Sequence, residues 1–355
     1  MKKNVLIIYN YAYHYRIPVF NKLAEKYNVT VLHSGKKLMR KEDRFIEIIV
    51  SEIKIGPFHF QKGVLREVNK AKYDAIIACF DVAWINTIIS LYMHNKKAKF
   101  ILWGPWITDN YLANQLRIFL TKRVSACIFY TNGAKVDFIK RGVPSTNLYV
   151  ANNTFDVGDR VQSYRHPLKE RILFVGSLNK RKQNDILLEV FSQIITKIPS
   201  NIMLTLIGDG REKQYLMELS DKLGLNNKIE FLGKINDITK LKEYYKEAIV
   251  SVSFGQAGLS VLQSLGCGVP FLTKKNAISG GEISNIKTDY NSILCEDNPM
   301  SLSEWLVFLC NNIDYSRELG KNAYDYYSKF CTMDNMVQGF KDAIENTRFA
   351  IIDES

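Results

Sequence analysis

The sequence predicts an α/β protein built from two doubly wound domains, each with its own parallel sheet. Short runs of consecutive apolar residues alternate with amphipathic segments along the whole 355-residue chain. Strands buried on both faces of a parallel sheet show such continuous apolar runs, and amphipathic segments between them are typical of crossover helices. The series stops once, at the polar stretch VGDRVQSYRHPLKE, and then starts again. We therefore predict an N-terminal domain at 1–156, a linker at 157–170 and a C-terminal domain at 171–332.

The strands of the first domain are predicted from six apolar runs, separated by helical segments. They are VLIIY (5–9), VTVLH (29–33), AIIAC (75–79), KFILW (99–103), ACIFY (126–130) and LYVAN (148–152). The segment IPVFNKLAEKY after the first run is predicted to be a helix, because Pro18 suits a helix's first turn.

The second domain repeats this pattern. Its predicted strands are RILFVG (171–176), IMLTLIG (202–208), KIEFLG (228–233), AIVSVSF (248–254), GVPFLT (268–273) and SILCED (292–297). A C-terminal helix is expected at 333–355, and packing against the N-terminal domain is one option for it. Ligands of open α/β sheets bind beyond the carboxyl ends of the strands, so we expect the functional residues in the loops that follow these strands.

Composition excludes several classes of protein. No apolar run approaches the roughly 20 residues of a membrane-spanning helix, and the start MKKNVLIIYNY is better interpreted as a buried strand than as a signal peptide. A cytoplasmic location follows. The six cysteines and five histidines are scattered, which argues against a disulfide framework or a metal site. No metal or other cofactor is expected.

The net charge of +12 is unevenly distributed. Residues 1–160 hold 25 Lys and Arg against 12 Asp and Glu, whereas residues 161–355 hold 23 against 24. The whole excess therefore lies in the N-terminal half, which is expected to approach either phosphates or an anionic membrane surface. A purely solubilising role stays open, as does a membrane contact by SGKKLMRKEDRF (34–45).

Two loops of the second domain have the composition of a phosphate site. The loop FVGSLNKRKQND places Gly176 after a strand and Lys180, Arg181 and Lys182 before a helix. Free N–H groups at a helix start, with cationic side chains nearby, bind phosphates. A solvated basic turn would look the same. The lone GDG at 208–210 is weak evidence, because turns also favour glycine.

The loop SFGQAGLSVLQSLG has the same features. Gly255 and Gly258 would let a ligand approach the backbone closely. The N–H groups of Leu259 and Ser260 would face that ligand at the positive end of a helix. Gln263 lies one turn further on the same face and could bond a hydroxyl. Glycines that merely shape a turn are the alternative.

In their order and spacing, these blocks resemble the GT-B glycosyltransferases of family 4, the retaining group 1 enzymes, in their bacterial polysaccharide-assembly branch. The resemblance covers 171–297 well, including LTLIGDGREKQYLMELSDKLGL, IEFLGKI, LSVLQSLGCGVPFL and GGEI. It is weaker before the linker, where TNGAKVDFIKRGVPSTNLYVANNTFDV and YNYAYHYRIPVFNKLAEKYNVTVLHSG carry it. It implies two Rossmann-like domains facing a central cleft, and transfer of a sugar from a nucleotide-sugar donor with retention.

The resemblance also implies a donor site. Lys182 matches the family lysine that binds the diphosphate, the start of the helix at Leu259 cradles the same group, and Gly233 usually meets the base. The implied donor-binding residues are Gly176, Ser177, Lys182, Gly233, Lys234, Gly258, Leu259, Ser260 and Gln263. Lys182 and Arg181 are the expected catalytic residues, since they would stabilise the charge of the leaving diphosphate.

The chain departs from the family pattern at three positions. Ser177 stands where the family has an arginine, and Gly255 and Gln263 stand where it has paired glutamates eight positions apart. The amide of Gln263 can still bond the ribose. Gly255 has no side chain with which to contact the sugar, so sugar handling is where this chain differs most.

The acceptor is expected against the N-terminal domain. NYAYHYR follows the first strand and LWGPWITDN follows the fourth, and aromatic rings suit sugar faces while an arginine suits a phosphate. The expected acceptor-binding residues are His14, Tyr15, Arg16, Trp103 and Asp109. Packing is the alternative for each. The acceptor would be a glycan or a diphosphate-lipid-linked oligosaccharide, with the enzyme peripheral on the inner face of the cell membrane.

Three other functions stay open. The missing glutamates would also suit a catalytically silent GT-B subunit that binds a partner or lipid. A nucleotide-sugar epimerase shares the fold, but needs clustered carboxylates and histidines that the sequence lacks. A nucleic-acid binder is suggested by charge alone, and no specific binding of nucleic acid is expected.

Overall fold

The computed structural model describes residues 1–159 and 161–346, and it divides the chain into two compact units. Unit 1 joins Met1–Asn153 to the chain from Met333 onward, and unit 2 is Thr154–Thr332. Each unit contains a parallel sheet with helices between its strands. The predicted α/β class is confirmed.

Unit 1 alternates strands and helices from its first residues. Its strands are β1 (Asn4–Ile8), β2 (Asn28–His33), β3 (Ile46–Ile49), β4 (Glu52–Ile55), β5 (Phe58–Gln61), β6 (Ala75–Cys79), β7 (Lys99–Trp103), β8 (Ala126–Phe129) and β9 (Leu148–Val150). Its helices before unit 2 are α1 (Ile17–Ala24), α2 (Val64–Val68), α3 (Ile85–Met93), α4 (Tyr111–Thr121) and α5 (Asn132–Lys140).

The main sheet of unit 1 has seven parallel strands in the order β3-β2-β1-β6-β7-β8-β9. The central strands are buried along nearly their whole length, which is why they appear in the sequence as unbroken apolar runs. Strands β4 and β5 form a separate antiparallel hairpin. All six predicted strands are present, whereas β3 and the hairpin were not predicted.

Unit 2 has the same organisation. Its strands are β10 (Arg171–Val175), β11 (Met203–Ile207), β12 (Ile229–Phe231), β13 (Ala248–Val252), β14 (Gln256–Ala257), β15 (Phe271–Lys274), β16 (Ile278–Ser279) and β17 (Ile293–Cys295). Its helices are α6 (Asn184–Ile194), α7 (Lys213–Lys222), α8 (Ile238–Glu247), α9 (Leu259–Gly266), α10 (Pro299–Asn311) and α11 (Ile313–Phe330). The main sheet runs β12-β11-β10-β13-β15-β17, and β14 pairs with β16 beside it.

The last helix, α12 (Met333–Glu345), belongs to unit 1. Met336, Val337 and Phe340 are fully buried in the same cluster as the apolar residues of β1 and β7. The Nζ of Lys99 donates to the carbonyl of Ile344 at 3.0 Å. The chain therefore returns to its first unit, and the part of the predicted helix from 347 onward lies outside the described residues.

The stretch interpreted as a linker, 157–170, packs on unit 2. Val157 and Tyr164 are buried, and the N–H of Ser163 donates to the carbonyl of Cys267 at 3.2 Å. The division between the units falls at Asn153 instead. Across the described chain, no helix combines the length and the apolar character needed to cross a bilayer.

Candidate active site

The glycine-ended strands of unit 2 bring their loops together at one edge of the sheet. The N–H of Gly176 donates to Ile207 at 2.9 Å, and the N–H of Gly208 donates to Gly233 at 2.8 Å. A Cβ on Gly208 would lie 1.7 Å from the carbonyl oxygen of Gly176, where no side chain fits. Glycine at 208 is therefore required by close backbone approach, and the end of β11 is bonded to Gly176 on one side and to Gly233 on the other.

Lys182 lies in a 3₁₀ turn between β10 and α6, and its side chain is buried, with 7% exposed. Its Nζ donates to the carbonyl of Gln256 at 3.4 Å. The pKa of Lys182 is lowered to about 8, mainly by burial and in addition by the nearby charge of Arg181, while the carboxylate of Glu282 acts in the opposite direction. An ammonium that is poorly solvated and weakly paired favours an anionic ligand.

Gly255 holds this turn in place. Its N–H donates to the carbonyl of Lys182 at 3.1 Å. A Cβ at this position would lie 2.3 Å from the carbonyl oxygen of Arg181 and 2.8 Å from Cγ of Gln183. The position of the family's first glutamate can therefore carry no side chain while the turn keeps this conformation.

Helix α9 begins at Leu259 beside open space. A Cβ on Gly258 would meet no atom within 4 Å, and no side chain caps the first turn. The Oγ of Ser260 and the Nε2 of Gln263 are buried and have no hydrogen-bond partner in the protein. The start of the helix thus offers N–H groups and two unsatisfied side chains to a polar ligand.

Two more side chains beside Lys182 are unsatisfied. Gln183 has a positive φ of 55°, and its Oε1 is buried without a partner. Both polar side-chain atoms of Asn184, the first residue of α6, are also buried without a hydrogen-bond partner. Buried polar atoms are almost always paired, so their concentration around Lys182 and the start of α9 marks this edge of the sheet as the candidate donor site.

Glu282 is a residue of this site that the sequence analysis did not identify. It is buried, with 7% exposed, and its Oε2 accepts a hydrogen bond from the N–H of Gly280 at 3.0 Å. The pairing of β14 with β16 brings this segment alongside Gln256. The glycine pair before Glu282 in GGEI was the available signal, since it permits the turn that points this carboxyl back toward Lys182.

The remaining predicted donor residues lie at the surface of the same loops. The side chain of Arg181 is exposed on the turn that contains Lys182, and Lys234 is exposed after Gly233. The Oγ of Ser177, also exposed, accepts a hydrogen bond from Nδ2 of Asn179 at 2.7 Å. These side chains are accessible to a ligand, and none of them is fixed by the fold as Lys182 is.

In unit 1, the predicted acceptor residues fall into two groups. His14 is exposed and lines a pocket of about 520 Å³ together with Tyr11, Ala12, Tyr13, Ser34, Gly35, Lys36 and Leu38. Asp109 is exposed on the loop before α4 and does not line this pocket. The pocket lies where the loops after β1 and β2 meet, at the carboxyl ends of those strands.

Arg16 forms the second group. It is 3% exposed, and its guanidinium carbon lies 5.1 Å from the ring centroid of Tyr15, 5.2 Å from that of Trp103 and 5.7 Å from that of Tyr130. Within the described residues no carboxylate lies within ion-pair distance of it. Trp103 is fully buried and packs on Phe340, so its ring supports Arg16 and does not lie at a ligand surface.

No group of three His, Cys, Asp or Glu side chains in the described residues could hold a metal ion. The geometry of unit 2 is instead that of an anion site. It combines a buried lysine, the start of a helix and several buried polar atoms without hydrogen-bond partners.

Comparison with known proteins agrees with this geometry. Residues 159–326 match the model of the family described as glycosyl transferases group 1. An uncharacterised glycosyltransferase of Methanocaldococcus jannaschii is 30% identical over 191 residues, which are 50% of this chain and 46% of that protein. Another, from Haemophilus influenzae, is 24% identical over 314 residues, covering 83% of this chain and 85% of that one. The chain thus spans about half the length of the first relative and most of the second.

Solved structures extend the likeness to the whole chain. The HepE protein of Anabaena in complex with UDP has a TM-score of 0.75 at 18% identity, covering 98% of this chain and 100% of that one. A lipopolysaccharide outer core galactosyltransferase, WaaB, has a TM-score of 0.69 at 15% identity over 97% and 99% of the two chains. At these identities the likeness shows the fold, and the predicted GT-B fold is confirmed. Residues 159–326 are therefore similar to the glycosyl transferases group 1, and the chain as a whole has the GT-B fold.

Proposed function

We propose that this protein transfers a sugar, with retention, from a UDP-sugar to a hydroxyl of a glycan or lipid-linked oligosaccharide in the synthesis of a cell-surface polysaccharide. The observation that carries the donor assignment is the buried, weakly paired ammonium of Lys182 beside the unsatisfied start of α9. The UDP complex of HepE and the galactosyltransferase activity named for WaaB support a nucleotide-sugar donor and a glycan product.

In the proposed reaction the bond from the anomeric carbon to the diphosphate breaks, and a bond to the acceptor oxygen forms on the same face. The acceptor's proton passes to the leaving diphosphate, so no protein base is required. Lys182, Arg181 and the first N–H groups of α9 stabilise the negative charge that develops. Gln263 bonds the ribose. No step uses a metal.

The acceptor is assigned to unit 1. Arg16 is a buried cation that no carboxylate of the described residues pairs with, and an uncompensated buried charge is unfavourable unless an anion pairs with it. A phosphate of a lipid-linked acceptor would supply that anion, with His14 and Tyr15 beside it. The excess positive charge of residues 1–160 would hold the protein against the anionic inner face of the cell membrane.

Calorimetric titration with UDP and UDP-glucose tests the donor site. Lys182→Met is expected to weaken UDP binding by roughly 10- to 100-fold, as expected for a lost charged hydrogen bond. Lys180→Met, on the same turn but exposed, is the matched control and is expected to bind within about threefold of the wild type. Equal loss in both variants, or wild-type affinity in Lys182→Met, would remove the proposed site.

One observation favours a second candidate, a silent subunit that binds the nucleotide without turning it over. Gly255 leaves no room for the carboxylate that the family places there. The transferase and the silent subunit differ in whether they turn over the nucleotide sugar. A transferase releases UDP from UDP-glucose when acceptor is added, whereas a silent subunit binds UDP with the same dependence on Lys182 and releases none.

A further inference from the structure

The β4–β5 hairpin has one polar face and one apolar face. Its antiparallel register pairs Glu52 with Gln61, Ile53 with Phe60, Lys54 with His59 and Ile55 with Phe58. Since directly paired residues lie on the same face and successive residues alternate, the first and third pairs share one face. The second and fourth pairs, all of them Ile or Phe, form the other.

Glu52, His59 and Gln61 of the polar face pack on the rest of unit 1, whereas Lys54 is exposed. Glu52 accepts a hydrogen bond from the hydroxyl of Tyr11 and pairs with Nδ1 of His59. The Nε2 of Gln61 donates to the carbonyl of Tyr9 at 2.9 Å, and Gln61 is 3% exposed. Side-chain hydrogen bonds therefore fix the orientation of the hairpin.

The apolar face points outward as a result. Ile53 is 42% exposed, Ile55 62% and Phe58 45%, and Ile46 and Ile49 of the adjoining edge strand β3 are exposed as well. This is the reverse of the usual arrangement, in which the apolar face of a ribbon is buried. Three large apolar side chains exposed together on one face of a two-stranded ribbon indicate a contact with another apolar phase.

The charges around the hairpin indicate which kind of apolar phase it contacts. Residues 34–66 hold eight Lys and Arg against four Asp and Glu. Of the four acids, Glu47 accepts the N–H of Leu38 at 2.8 Å and is paired with His33, and Glu52 is bonded as above. The exposed charges of the preceding loop are mostly basic. Apolar side chains beside basic ones are the composition of a surface that binds anionic lipid.

We propose that the hairpin docks on an anionic bilayer, with Ile53, Ile55 and Phe58 entering the headgroup region and the basic loop 36–44 lying on the lipid phosphates. This identifies the surface that makes the membrane contact of the proposed function. It does not depend on the donor chemistry, because the hairpin lies in unit 1 and the donor site in unit 2.

Flotation with vesicles tests the docking surface. The full chain is mixed with phosphatidylcholine vesicles that contain either none or about a third phosphatidylglycerol. The wild type is expected to bind the anionic vesicles and to dissociate as salt is added. Ile55→Ser combined with Phe58→Ser is expected to weaken that binding by roughly tenfold or more. The control, Leu168→Ser with Met300→Ser, replaces side chains of unit 2 that are 55% and 71% exposed and should bind like the wild type.

Three outcomes would overturn the proposal. The wild type fails to bind anionic vesicles, the hairpin variant binds as well as the wild type, or light scattering shows a dimer that the hairpin variant abolishes. UDP binding measured without vesicles separates the two proposals. Vesicle binding that persists when UDP does not bind would refute the donor site alone, and the reverse result would refute the docking surface alone.

Discussion

Replacing Lys182 by methionine is expected to stabilise the ligand-free protein while it removes donor binding. Methionine keeps most of the length and volume of the side chain without its charge. Burial lowers the pKa of Lys182 from 10.5 to about 8, a shift of about 2.5 units, and one unit corresponds to about 1.36 kcal/mol. Holding the ammonium in this site therefore costs on the order of 3 kcal/mol at pH 7. We expect the variant to recover about 1–3 kcal/mol of this cost, or roughly 2–12 °C in the melting temperature of a unit of this size.

The pKa shift also predicts how the stability difference between the wild type and Lys182→Met changes with pH. Because the folded-state pKa lies below the unfolded value, the unfolded chain holds more protons between about pH 8 and pH 10.5. The stability of the wild type relative to Lys182→Met should therefore rise across that window. The difference between the two proteins is largest below about pH 8 and vanishes once lysine is neutral in both states. UDP binding by the wild type should weaken as the pH rises above about 8, since the diphosphate needs the ammonium.

Thermal unfolding of both proteins at several pH values, with and without UDP, measures all of these effects. Lys180→Met is the control, because its exposed charge carries no burial penalty. The reasoning fails if Lys182→Met is less stable than the wild type at pH 7 and is still stabilised by UDP. That result would make Lys182 a structural cation paired inside the protein.

Three other changes give distinct results. Gly255→Ala should destabilise unit 2 by about 1–3 kcal/mol in urea unfolding and weaken UDP binding, because the new methyl group displaces the turn of Lys182; an unchanged midpoint would contradict the steric argument. Gln263→Leu should leave stability unchanged or raise it by about 1 kcal/mol, since it removes a buried unpaired amide, and should raise the donor KM more than it lowers kcat; the opposite split would argue against a ribose contact. Arg16→Met should weaken binding of farnesyl diphosphate by roughly tenfold and leave UDP binding unchanged, with exposed Arg66→Met as control; equal binding by both would exclude Arg16 as the anion site.

The central strands could be predicted from the sequence because their environment is uniform. Every residue from Val5 to Ile8 is buried, and so is every residue of β8. A strand covered by helices on both faces has no polar position, so its sequence reports its burial directly. The order of strands and helices along the chain then determines a doubly wound topology.

The hairpin could not be predicted in the same way. Its residues alternate in polarity, as those of a half-buried strand do, but the apolar set is the exposed one. The direction is fixed by distant partners, Tyr11 and Tyr9, which no local pattern identifies. The stretch 157–170 was predicted to be a linker because its composition is polar. Val157 and Tyr164 are nevertheless buried, and they hold this stretch on unit 2.

Part of the candidate donor site could be predicted from residue types alone. Lys182 and the start of α9 follow from glycine and lysine spacing, because both belong to loops after strands that the sequence defines well. The contact between Gly255 and the carbonyl of Arg181 does not, since it joins two loops that are 74 residues apart. Only the structure shows that the glycine is a steric requirement.

The contact at Gly255 concerns two features of the site: the room that the turn of Lys182 needs, and the buried carboxyl that acts on Lys182. The turn of Lys182 keeps its contact with residue 255 because that position has no side chain, so the proposed diphosphate site depends on the absence of the first carboxylate. The buried carboxyl that influences Lys182 is supplied by Glu282 instead, from a loop held beside Gln256 by the pairing of β14 and β16. A glutamate at 255 is therefore expected to displace the turn of Lys182 and to weaken the proposed diphosphate site.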